Sequence, residues 1–186
     1  MSNDTLRHVD KYSIHYEELH FIKKIGKGSF GKVYLGEWEK MTVAVKICST
    51  MDTNQINEFL EEAKMMMGMR PHPHVIQILG ISTNGPHPAM ILEYSSGGSL
   101  DKLVYSEQTM DPSTIVRIVH GIALGMHHLH RNNIIHRDLA CRNILLSETN
   151  QPKIAGNFNT KIRILIIRFW IISIFGSRRW CSNYPV

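Results

Sequence analysis

The sequence predicts an α+β fold: a small β-sheet with one helix, followed by a mainly helical part. Three observations lead to this prediction. Strand-like segments with glycine turns dominate the first half, an amphipathic helical pattern interrupts them, and a longer helical pattern follows Tyr94. The alternation runs from Tyr12 to Ala155 without repeats, and a chain of 186 residues is long enough to bury such a core.

Strands are predicted where β-branched residues cluster beside glycine. The segments KKIGKGSFGKVYLGEW (residues 23–38) and MTVAVKI (41–47) are typical of strands around a glycine-rich turn. HVIQILGI (74–81) and AMILEY (89–94) indicate two more strands, and SSGG (95–98) ends the last of them.

Two helices are predicted from apolar residues at three- and four-residue spacing. The first covers residues 54–69, and the second covers 111–130, with Pro112 and Ser113 at its start. The first apolar stripe consists of Ile56, Phe59, Leu60, Ala63 and Met67, and the second of Ile115, Ile118, Ile122, Met126 and Leu129.

The basic character of the chain is confined to its end. The formal net charge is +5 at pH 7, from 21 Lys and Arg against 16 Asp and Glu. Five of the basic residues and none of the acidic ones follow Ala155, so the part before it is neutral. This distribution argues against a nucleic-acid partner.

The cysteines favour a reducing compartment, and the histidines do not indicate a metal site. Three scattered cysteines have neither zinc spacing nor a disulfide framework. The histidine groups RPHPHV (70–75) and HHLH (127–130) lack a Cys or carboxylate to complete a ligand set. The polar start MSNDTLRHVDKY is not a secretory signal. We therefore expect a cytoplasmic location.

A glycine-rich turn, residues 26–31, carries the first candidate site. GKGSFG places Gly26, Gly28 and Gly31 in a GxGxxG pattern, with Val33 two residues later. Glycines let backbone N–H groups approach phosphate oxygens, although ordinary turns share the pattern. Its place between two strands distinguishes it from a dinucleotide-binding fingerprint, which opens a helix. By itself, the motif leaves a phosphate-binding turn and an ordinary turn both open.

Charged residues in the right order extend this candidate site. VAVK places Lys46 where its ammonium group can reach phosphates under the turn, and Glu62 can pair with it, with Glu61 as competitor. A solvated surface pair is the alternative. In HRDLACRNILL, Asp138 can accept a proton from a substrate hydroxyl, and Asn143 can bind magnesium.

Together, these motifs make residues 12–155 resemble a eukaryotic protein kinase domain of the tyrosine-kinase-like group. The resemblance implies a protein-kinase-like α+β fold: an antiparallel N-lobe sheet with one helix, plus the first part of a mainly helical C-lobe. It also implies ATP and Mg²⁺ as cofactors and a protein as substrate. His136 and Arg137 would anchor the catalytic loop, residues 136–143.

The resemblance further implies individual roles. Asp138 would be the catalytic base, with Lys46, Glu62 and Arg142 as the other catalytic residues, and Asn143 would bind the metal. Leu92 would take the gatekeeper position, and the hinge, residues 93–98, would bond adenine through its backbone. The residues implied to contact ATP are Ile25, Gly26, Gly28, Gly31, Val33, Ala44, Lys46, Leu92, Glu93, Ser95 and Leu145.

The catalytic loop also bears on the substrate hydroxyl. Ala140 stands where serine/threonine kinases of this kind usually carry Lys, and Arg142 precedes Asn143 as it does in tyrosine kinases. This favours tyrosine, while groups from microbial eukaryotes use a similar loop on serine and threonine.

The resemblance ends at Gly156. A kinase of this type continues KIADFG, and its Asp chelates magnesium; here KIA is followed by Gly156. Most residues from 157 to 175 are Ile, Asn, Lys or Phe, whose codons are rich in A and T. We hypothesise a translated intron, or a related gene-model error, that begins in the codon of the missing Asp. The mature transcript tests this hypothesis.

The apolar stretch of the tail, residues 162–175, does not predict a membrane segment. Fourteen helical residues span ~21 Å, short of a hydrocarbon core of ~30 Å. Arg163 and Arg168 would also lie at its end and middle. We therefore expect no membrane partner, and the sequence predicts no oligomeric state.

We predict three segments: an N-terminal extension (1–11), a partial protein kinase domain (12–155) and an aberrant tail (156–186). Within the domain, the N-lobe covers about 12–94 and the start of the C-lobe about 95–155. The predicted function is ATP-dependent protein phosphorylation, impaired in this chain by the absence of the metal-binding Asp. The alternative is a pseudokinase-like nucleotide-binding or interaction module. The family's central helix is missing from the sequence, so we also expect the second helix to expose its apolar stripe.

Overall fold

The computed structural model describes residues 12–156, except 29, 51, 107 and 108, together with Phe158. The predicted N-terminal extension lies outside the described residues. So does the predicted tail, apart from Gly156 and Phe158. The translated-intron hypothesis therefore stays a prediction.

The described elements follow the α+β order that the sequence predicts. Short 3₁₀ turns occupy Tyr16–Glu18 and Cys141–Asn143. The helices are α1 (Thr53–Gly68), α2 (Leu100–Val104) and α3 (Pro112–Arg131). The strands are β1 (His20–Gly28), β2 (Gly31–Trp38), β3 (Met41–Cys48), β4 (Ile78–Ser82), β5 (Ala89–Glu93), β6 (Ile144–Leu146) and β7 (Pro152–Ile154).

The first five strands form one antiparallel sheet in the order β1-β2-β3-β5-β4. Strands β6 and β7 form a separate antiparallel hairpin. The predicted fold class, a small antiparallel sheet with one helix and the beginning of a helical part, is therefore confirmed.

The sheet has two differently used faces, because alternate residues point to opposite sides and paired residues share a side. On one face, Val45 lies opposite Ile91 and Ile47 opposite Ala89. These residues pack with Ile14 from the segment before β1 in a separate apolar cluster. The opposite face carries Ala44, Lys46, Met90 and Leu92, and it faces the larger core to which α1 contributes Phe59, Ala63 and Met66.

Both long helices begin at aspartates that cap them. The Asp52 carboxylate accepts a hydrogen bond from the Asn54 N–H at 2.9 Å at the start of α1. The Asp111 carboxylate accepts one from the Thr114 N–H at 3.0 Å at the start of α3, and Pro112 occupies the first helical position, where its missing N–H costs nothing. The two predicted helices are thus found within one or two residues of their predicted bounds.

The predicted strand over residues 74–81 is wrong in its first half, because β4 begins only at Ile78. The backbone before it is paired elsewhere: the Ile154 N–H donates to the His74 oxygen, and the Ile76 N–H donates to the Ile154 oxygen, both at 2.9 Å. Residues 74–76 therefore join the β6–β7 hairpin to the rest of the protein instead of extending the sheet.

The expected exposure of the second apolar stripe is also wrong. In α3, Ile118, Ile122 and Leu129 are at most 3% exposed, and Ile115 and Met126 are half-buried. The helix packs on β7, and Ile118, Ile122 and Leu129 belong to the larger apolar core, which also contains Ile154 of β7. The large apolar side chains that α3 does expose are Val116 and Leu124.

In the part of the chain that the structure describes, every helix is too short or too polar to span a lipid bilayer.

We predict that Gly125→Ala lowers the free energy of unfolding by about 1–3 kcal/mol, because the added methyl group overpacks the contact between α3 and β7. A Cβ atom at position 125 would lie 2.5 Å from the His74 oxygen and 2.8 Å from Ile154 Cδ1. Urea denaturation of the whole chain measures the change.

Gly68→Ala is the matched control. Gly68 is the last residue of α1, and an added Cβ meets no atom within 4 Å. This variant should be as stable as the parent or up to ~1 kcal/mol more stable. Equal stability of the two variants would contradict the packing described for α3.

Candidate functional site

The glycine-rich turn joins β1 to β2 and lies against the end of β3. Gly31 has φ of +155°, and a side chain there would collide with the Ile47 carbonyl oxygen and lie 2.7 Å from the Ser49 nitrogen. The Ser49 N–H also donates to the Phe30 oxygen at 2.9 Å. The fold itself therefore requires glycine at position 31.

Glycine at position 26 has a different status. Gly26 pairs with Val33, and a Cβ atom added to it would meet only Val33 Cβ, at an ordinary 3.9 Å. Packing within the described residues does not require glycine there. Gly28 ends β1 and pairs with Gly31. If glycine is required at position 26, the reason is the close approach of another molecule to the backbone there.

Lys46 and Glu62 form a buried ion pair. The Lys46 Nζ lies 3.0 Å from Oε1 and 2.9 Å from Oε2 of Glu62, and the two side chains are 8% and 4% exposed. Burial raises the pKa of the Glu62 carboxyl, while the Lys46 charge and a hydrogen bond from the Phe158 backbone lower it in part. The competitor Glu61 pairs instead with the exposed Lys64, at 2.7 Å.

Two aromatic rings flank the Lys46 ammonium group. Its Nζ lies 5.3 Å from the centre of the Phe30 ring and 5.9 Å from that of Phe59. The two rings meet edge to face, with their centres 5.9 Å apart. These distances lie within the range of cation–π attraction. Phe30 at the turn and Phe59 on α1 thus join the turn, β3 and α1 around one charge.

Three apolar residues implied to contact ATP, Val33, Ala44 and Leu92, lie on the Lys46 face of the sheet. Register places Val33 opposite Lys46 and Ala44 opposite Leu92, so these side chains share a face. Leu145 comes from β6 in the separate hairpin. We call Val33, Ala44, Leu92 and Leu145 the purine-slot residues. Ile25 lies at an irregularity of β1 and is 37% exposed.

The hinge presents a limited set of backbone groups. The Glu93 N–H donates to the Gln77 oxygen at 3.0 Å, so only its carbonyl remains for a ligand. Ser95 is 7% exposed, and its hydroxyl has no hydrogen-bond partner within the described residues. A buried hydroxyl without a partner is costly, so a bound molecule that bonded it would be favoured.

In the catalytic loop, the side chains of Arg142 and Asn143 hold Asp138 in place. Arg142 Nη2 lies 2.5 Å from Asp138 Oδ1, and Asn143 Nδ2 donates to Asp138 Oδ2 at 3.0 Å and to its backbone oxygen at 2.6 Å. The Asp138 side chain is 51% exposed, so its carboxylate can still be reached by a substrate. The 3₁₀ turn Cys141–Asn143 brings Arg142 and Asn143 back towards Asp138.

His136 ties this loop to the chain after β7. Its Nε2–H donates to the Ala155 oxygen at 2.7 Å, and the Ala155 N–H donates to the Asn143 oxygen at 2.8 Å. Arg137 next to it adopts φ of +59°, an unusual backbone conformation for a residue with a side chain. The loop is therefore positioned by contacts immediately before Gly156.

Gly156 stands beside the magnesium ligand that the sequence predicts. A Cβ atom there would lie 3.2 Å from Asn143 Cγ and 3.2 Å from His136 Cε1. A side chain at this position would thus start next to Asn143, where the resemblance places a metal. Glycine supplies no oxygen ligand, and both Asp138 oxygens are engaged by other side chains.

These residues fit Mg²⁺ poorly. The ion prefers six oxygen ligands, with one or two carboxylates and phosphate oxygens among them. Among the described residues, no group of three or more His, Cys, Asp or Glu side chains could hold a metal ion. The histidines of the two groups 70–75 and 127–130 have other partners: His72 stacks on His128 with ring centres 4.6 Å apart, and His74 Nδ1 bonds the Pro152 oxygen.

Two features of the site have no counterpart in the sequence analysis. Phe158, assigned there to the tail, is 4% exposed and packs edge-on against His136, with ring centres 5.4 Å apart. Lys153 forms an ion pair with Glu93 across 60 positions of sequence. The sequence contains an indication of the Phe158 contact, since an aromatic residue follows closely after KIA. No local pattern indicates the ion pair of Lys153 and Glu93.

Comparison with known proteins identifies the same family that the sequence motifs resemble. The profile of a family described as protein tyrosine and serine/threonine kinase matches residues 19–159. The dual specificity protein kinase pyk3 of Dictyostelium discoideum is 35% identical over 146 residues, which are 78% of this chain and 11% of that protein.

Other relatives have comparable similarity. The serine/threonine-protein kinase CTR1 of Arabidopsis thaliana is 35% identical over 152 residues, 78% of this chain and 18% of that protein. The tyrosine-protein kinase Abl of Drosophila melanogaster is 36% identical over 150 residues, 78% of this chain and 9% of that protein. The chain therefore spans a small fraction of these curated relatives.

We predict that Lys46→Met lowers the free energy of unfolding by about 3–5 kcal/mol, because it leaves the Glu62 carboxylate buried without a partner. The double variant Lys46→Met/Glu62→Leu should regain most of this loss. Lys64→Met, which breaks the exposed pair with Glu61, should change stability by less than ~1 kcal/mol. Urea denaturation compares the three variants. A Lys46→Met loss no larger than that of Lys64→Met would contradict the burial of the pair.

We predict that the protein loses stability as the pH falls below about 6.5, the ordinary pKa of histidine, in part through His136. Burial lowers the pKa of His136, although the Ala155 carbonyl and the Asp138 charge raise it in part. Its Nδ1 is buried without a partner in the described part of the chain, so a second ring proton would be unpaired. The unfolded chain therefore takes up the proton first, and acid favours unfolding.

His136→Gln keeps a side-chain N–H for the Ala155 oxygen but cannot titrate. Its free energy of unfolding should fall less than that of the parent between pH 7 and pH 5. His72 contributes separately, because burial also lowers the pKa of its imidazole, and His72→Gln serves as the control for that part. Identical pH profiles for His136→Gln and the parent would rule out the stated role of His136.

Proposed function

This chain belongs to the family of protein tyrosine and serine/threonine kinases, and from that premise we propose that it binds ATP and transfers phosphate to proteins only at a strongly reduced rate. The family phosphorylates proteins. The observation that carries the proposal is Gly156, which stands next to Asn143 without a carboxylate.

Three features support ATP binding beneath the glycine-rich turn. Lys46 offers a positive charge held in place by Glu62. Gly26 is glycine at a position where the protein's own packing leaves room for a methyl group, as expected where phosphates approach the backbone. The carbonyl of Glu93 and the unpartnered hydroxyl of Ser95 offer polar groups at the hinge. Bound ATP would supply the phosphoryl group.

The catalytic loop supports the transfer chemistry. Arg142 and Asn143 orient the Asp138 carboxylate, which remains exposed and could accept the proton of a protein hydroxyl. Phosphoryl transfer depends chiefly on positioning and on neutralising charge, and the positioning part of this site is present.

The charge-neutralising part is incomplete. Magnesium held by a carboxylate at position 156 is the family's device for stabilising the transferring phosphates, and here the residues do not fit it. Such stabilisation is worth several kcal/mol, and a loss of ~4 kcal/mol slows the step about a thousandfold.

A second candidate is a pseudokinase-like module that binds a nucleotide or a partner protein without any transfer. The same residue, Gly156, favours it. The two candidates differ in one respect: phosphate incorporation that depends on Asp138 is slow in the first and absent in the second.

For the substrate, we propose a protein serine, threonine or tyrosine hydroxyl. The relatives include proteins named as serine/threonine, tyrosine and dual specificity kinases. Ala140 and Arg142 favour tyrosine in this chain. A reducing, cytoplasmic setting is supported by the free thiols of Cys48 and Cys141.

We predict that phosphate incorporation into a generic protein substrate stays about a thousandfold below that of an active relative assayed in parallel. Incorporation of labelled phosphate from ATP measures the rate, with Asp138→Asn as the control that shows the background. A rate comparable to the active relative that is lost in Asp138→Asn would contradict the proposal. A small rate of incorporation that is lost in Asp138→Asn supports the first candidate. The absence of any incorporation above the Asp138→Asn background supports the second.

Gly156→Asp alone should not restore the rate. Gly156 has φ of +119°, which side chains rarely adopt, and the new Cβ would crowd Asn143 and His136. A chimera that replaces the chain from position 156 with Asp-Phe-Gly and the following lobe of an active relative should regain activity. A chimera as inactive as the parent would show that the defect lies elsewhere.

A further inference from the structure

Three exposed lysines lie together on the outer face of the sheet, the face turned away from the candidate ATP site. Strand pairing places Lys24 opposite Tyr34 and Lys27 opposite Lys32. Lys32 pairs in turn with Ile47, which belongs to the apolar cluster of that outer face. Because paired residues share a side of the sheet, the three lysines are neighbours on one surface. We call Lys24, Lys27 and Lys32 the outer lysine cluster.

Two irregularities of β1 bring its residues to this face. In a regular strand, residues three positions apart point to opposite sides of the sheet. The register of β1 shifts twice, between Phe21 and Lys23 and between Lys24 and Gly26. Each shift adds one residue, so Phe21, Lys24 and Lys27 all lie on the outer face. The lysines are therefore grouped by the backbone and not by a simple alternation.

The outer lysine cluster carries positive charge that the protein leaves unbalanced. Lys27 and Lys32 are directly opposite each other in neighbouring strands, an arrangement that is destabilising for like charges. In the part of the chain that the structure describes, none of the three lysines forms an ion pair. The basic residues that do form ion pairs there are Lys46, Lys64, Arg142 and Lys153. A bound anion would relieve the repulsion within the cluster.

An aromatic cluster borders the lysines and restricts the kind of anion that fits. The Phe21 ring packs edge-on against Tyr34, with ring centres 5.5 Å apart, and its centre lies 5.6 Å from that of Tyr16. The rings contact one another, so they are poorly placed to stack on nucleic-acid bases. Attachment to an anionic membrane by charge takes about four to eight basic residues, more than this cluster contains. Both observations favour a protein ligand.

The dimensions of the cluster suit a short peptide segment. Lys24 and Lys27 are separated by about 10 Å along β1, and Lys32 lies about 5 Å across from Lys27. An extended peptide places alternate side chains about 7 Å apart on one side. Two carboxylates of such a peptide can therefore reach the cluster together, because lysine carries its charge on a long, flexible stem.

We propose that the outer lysine cluster is a docking site for an acidic segment of a partner protein. The cluster lies on the face opposite to Lys46 and to the purine-slot residues of the sheet. The interaction goes beyond the proposed function and requires neither ATP nor Asp138. Its attraction comes from exposed charges, so it is strongest at low ionic strength and is screened by salt.

The test measures binding of a fluorescent peptide, about eight residues of alternating Glu and Thr, to the whole chain at low salt. Lys27→Gln/Lys32→Gln should weaken binding about tenfold, since each exposed charge pair contributes roughly two- to fivefold. Salt at about 0.5 M should weaken binding by the parent to a similar extent. The double variant removes two like charges, so its urea midpoint should equal or exceed that of the parent.

Two controls accompany this measurement. The same peptide with Gln in place of Glu should bind at least about tenfold more weakly to the parent. Lys23→Gln/Lys40→Gln removes the same net charge outside the cluster, because Lys23 pairs with Leu35 on the opposite face and Lys40 lies in the turn between β2 and β3. This variant should bind the Glu peptide within about twofold of the parent.

Several results would overturn the proposal. One is parent-like binding of the Glu peptide by Lys27→Gln/Lys32→Gln, and another is equal weakening by Lys23→Gln/Lys40→Gln. Vesicles of phosphatidylcholine and phosphatidylserine and an oligouridine RNA are assayed at the same salt. Tighter binding of either one than of the Glu peptide, lost in Lys27→Gln/Lys32→Gln, would assign the cluster to a membrane or to RNA instead. None of these measurements depends on whether the chain binds ATP.

Discussion

The buried pair of Lys46 and Glu62 is the interaction on which the site depends most. Two charges that are almost fully buried are tolerated only when they neutralise each other and share hydrogen bonds. The pair therefore constrains the distance between β3 and α1 more tightly than apolar packing could. The rings of Phe30 and Phe59 surround the same ammonium group, so the glycine-rich turn is drawn into this arrangement.

The influence of the pair extends to the hairpin side of the site through Phe158. The backbone of Phe158 bonds the Glu62 carboxylate, and its ring packs on His136, which in turn holds the chain at Ala155. Helix α1, the catalytic loop and the residues after β7 are thus linked in one series of contacts. Gly156 lies inside this series, so its lack of a carboxylate is a chemical change within a largely complete framework.

The framework and the chemistry of the site can therefore be separated. Arg142 and Asn143 orient Asp138, and Lys46 is held by Glu62, without any contribution from a side chain at position 156. What position 156 would add is negative charge next to Asn143, the feature that attracts a divalent cation. In the proposed function, this framework binds a nucleotide through the Lys46 cation without a carboxylate at position 156 to hold the family's metal ion.

The sequence predicted most of the elements whose determining contacts are local, although it missed the short helix α2 and the β6–β7 hairpin. Glycine punctuation and apolar spacing predicted the five-stranded part and both long helices, while the aspartate caps of these helices were recognised only in the structure. It failed where distant pairing decides the outcome. Residues 74–76 bond β7 instead of extending β4, and the α3 stripe that was expected to be exposed lies in the larger apolar core, which also contains Ile154 of β7.

The candidate site shows the same division. Motif spacing indicated Lys46, Glu62, Asp138 and Asn143, and the structure brings each into contact with a partner from that set. The pair of Glu93 and Lys153 has no motif, because its partners are joined only by the fold. Phe158 was obscured by the unusual composition that follows it.

The most direct test of the central claim is the affinity for ATP with Mg²⁺ and with a chelator in its place. We predict binding in both conditions, with dissociation constants that agree within about threefold, since Lys46 and the hinge provide the contacts and no carboxylate at position 156 recruits the ion. ATP binding that requires Mg²⁺, with an affinity at least tenfold higher than without it, would contradict the account.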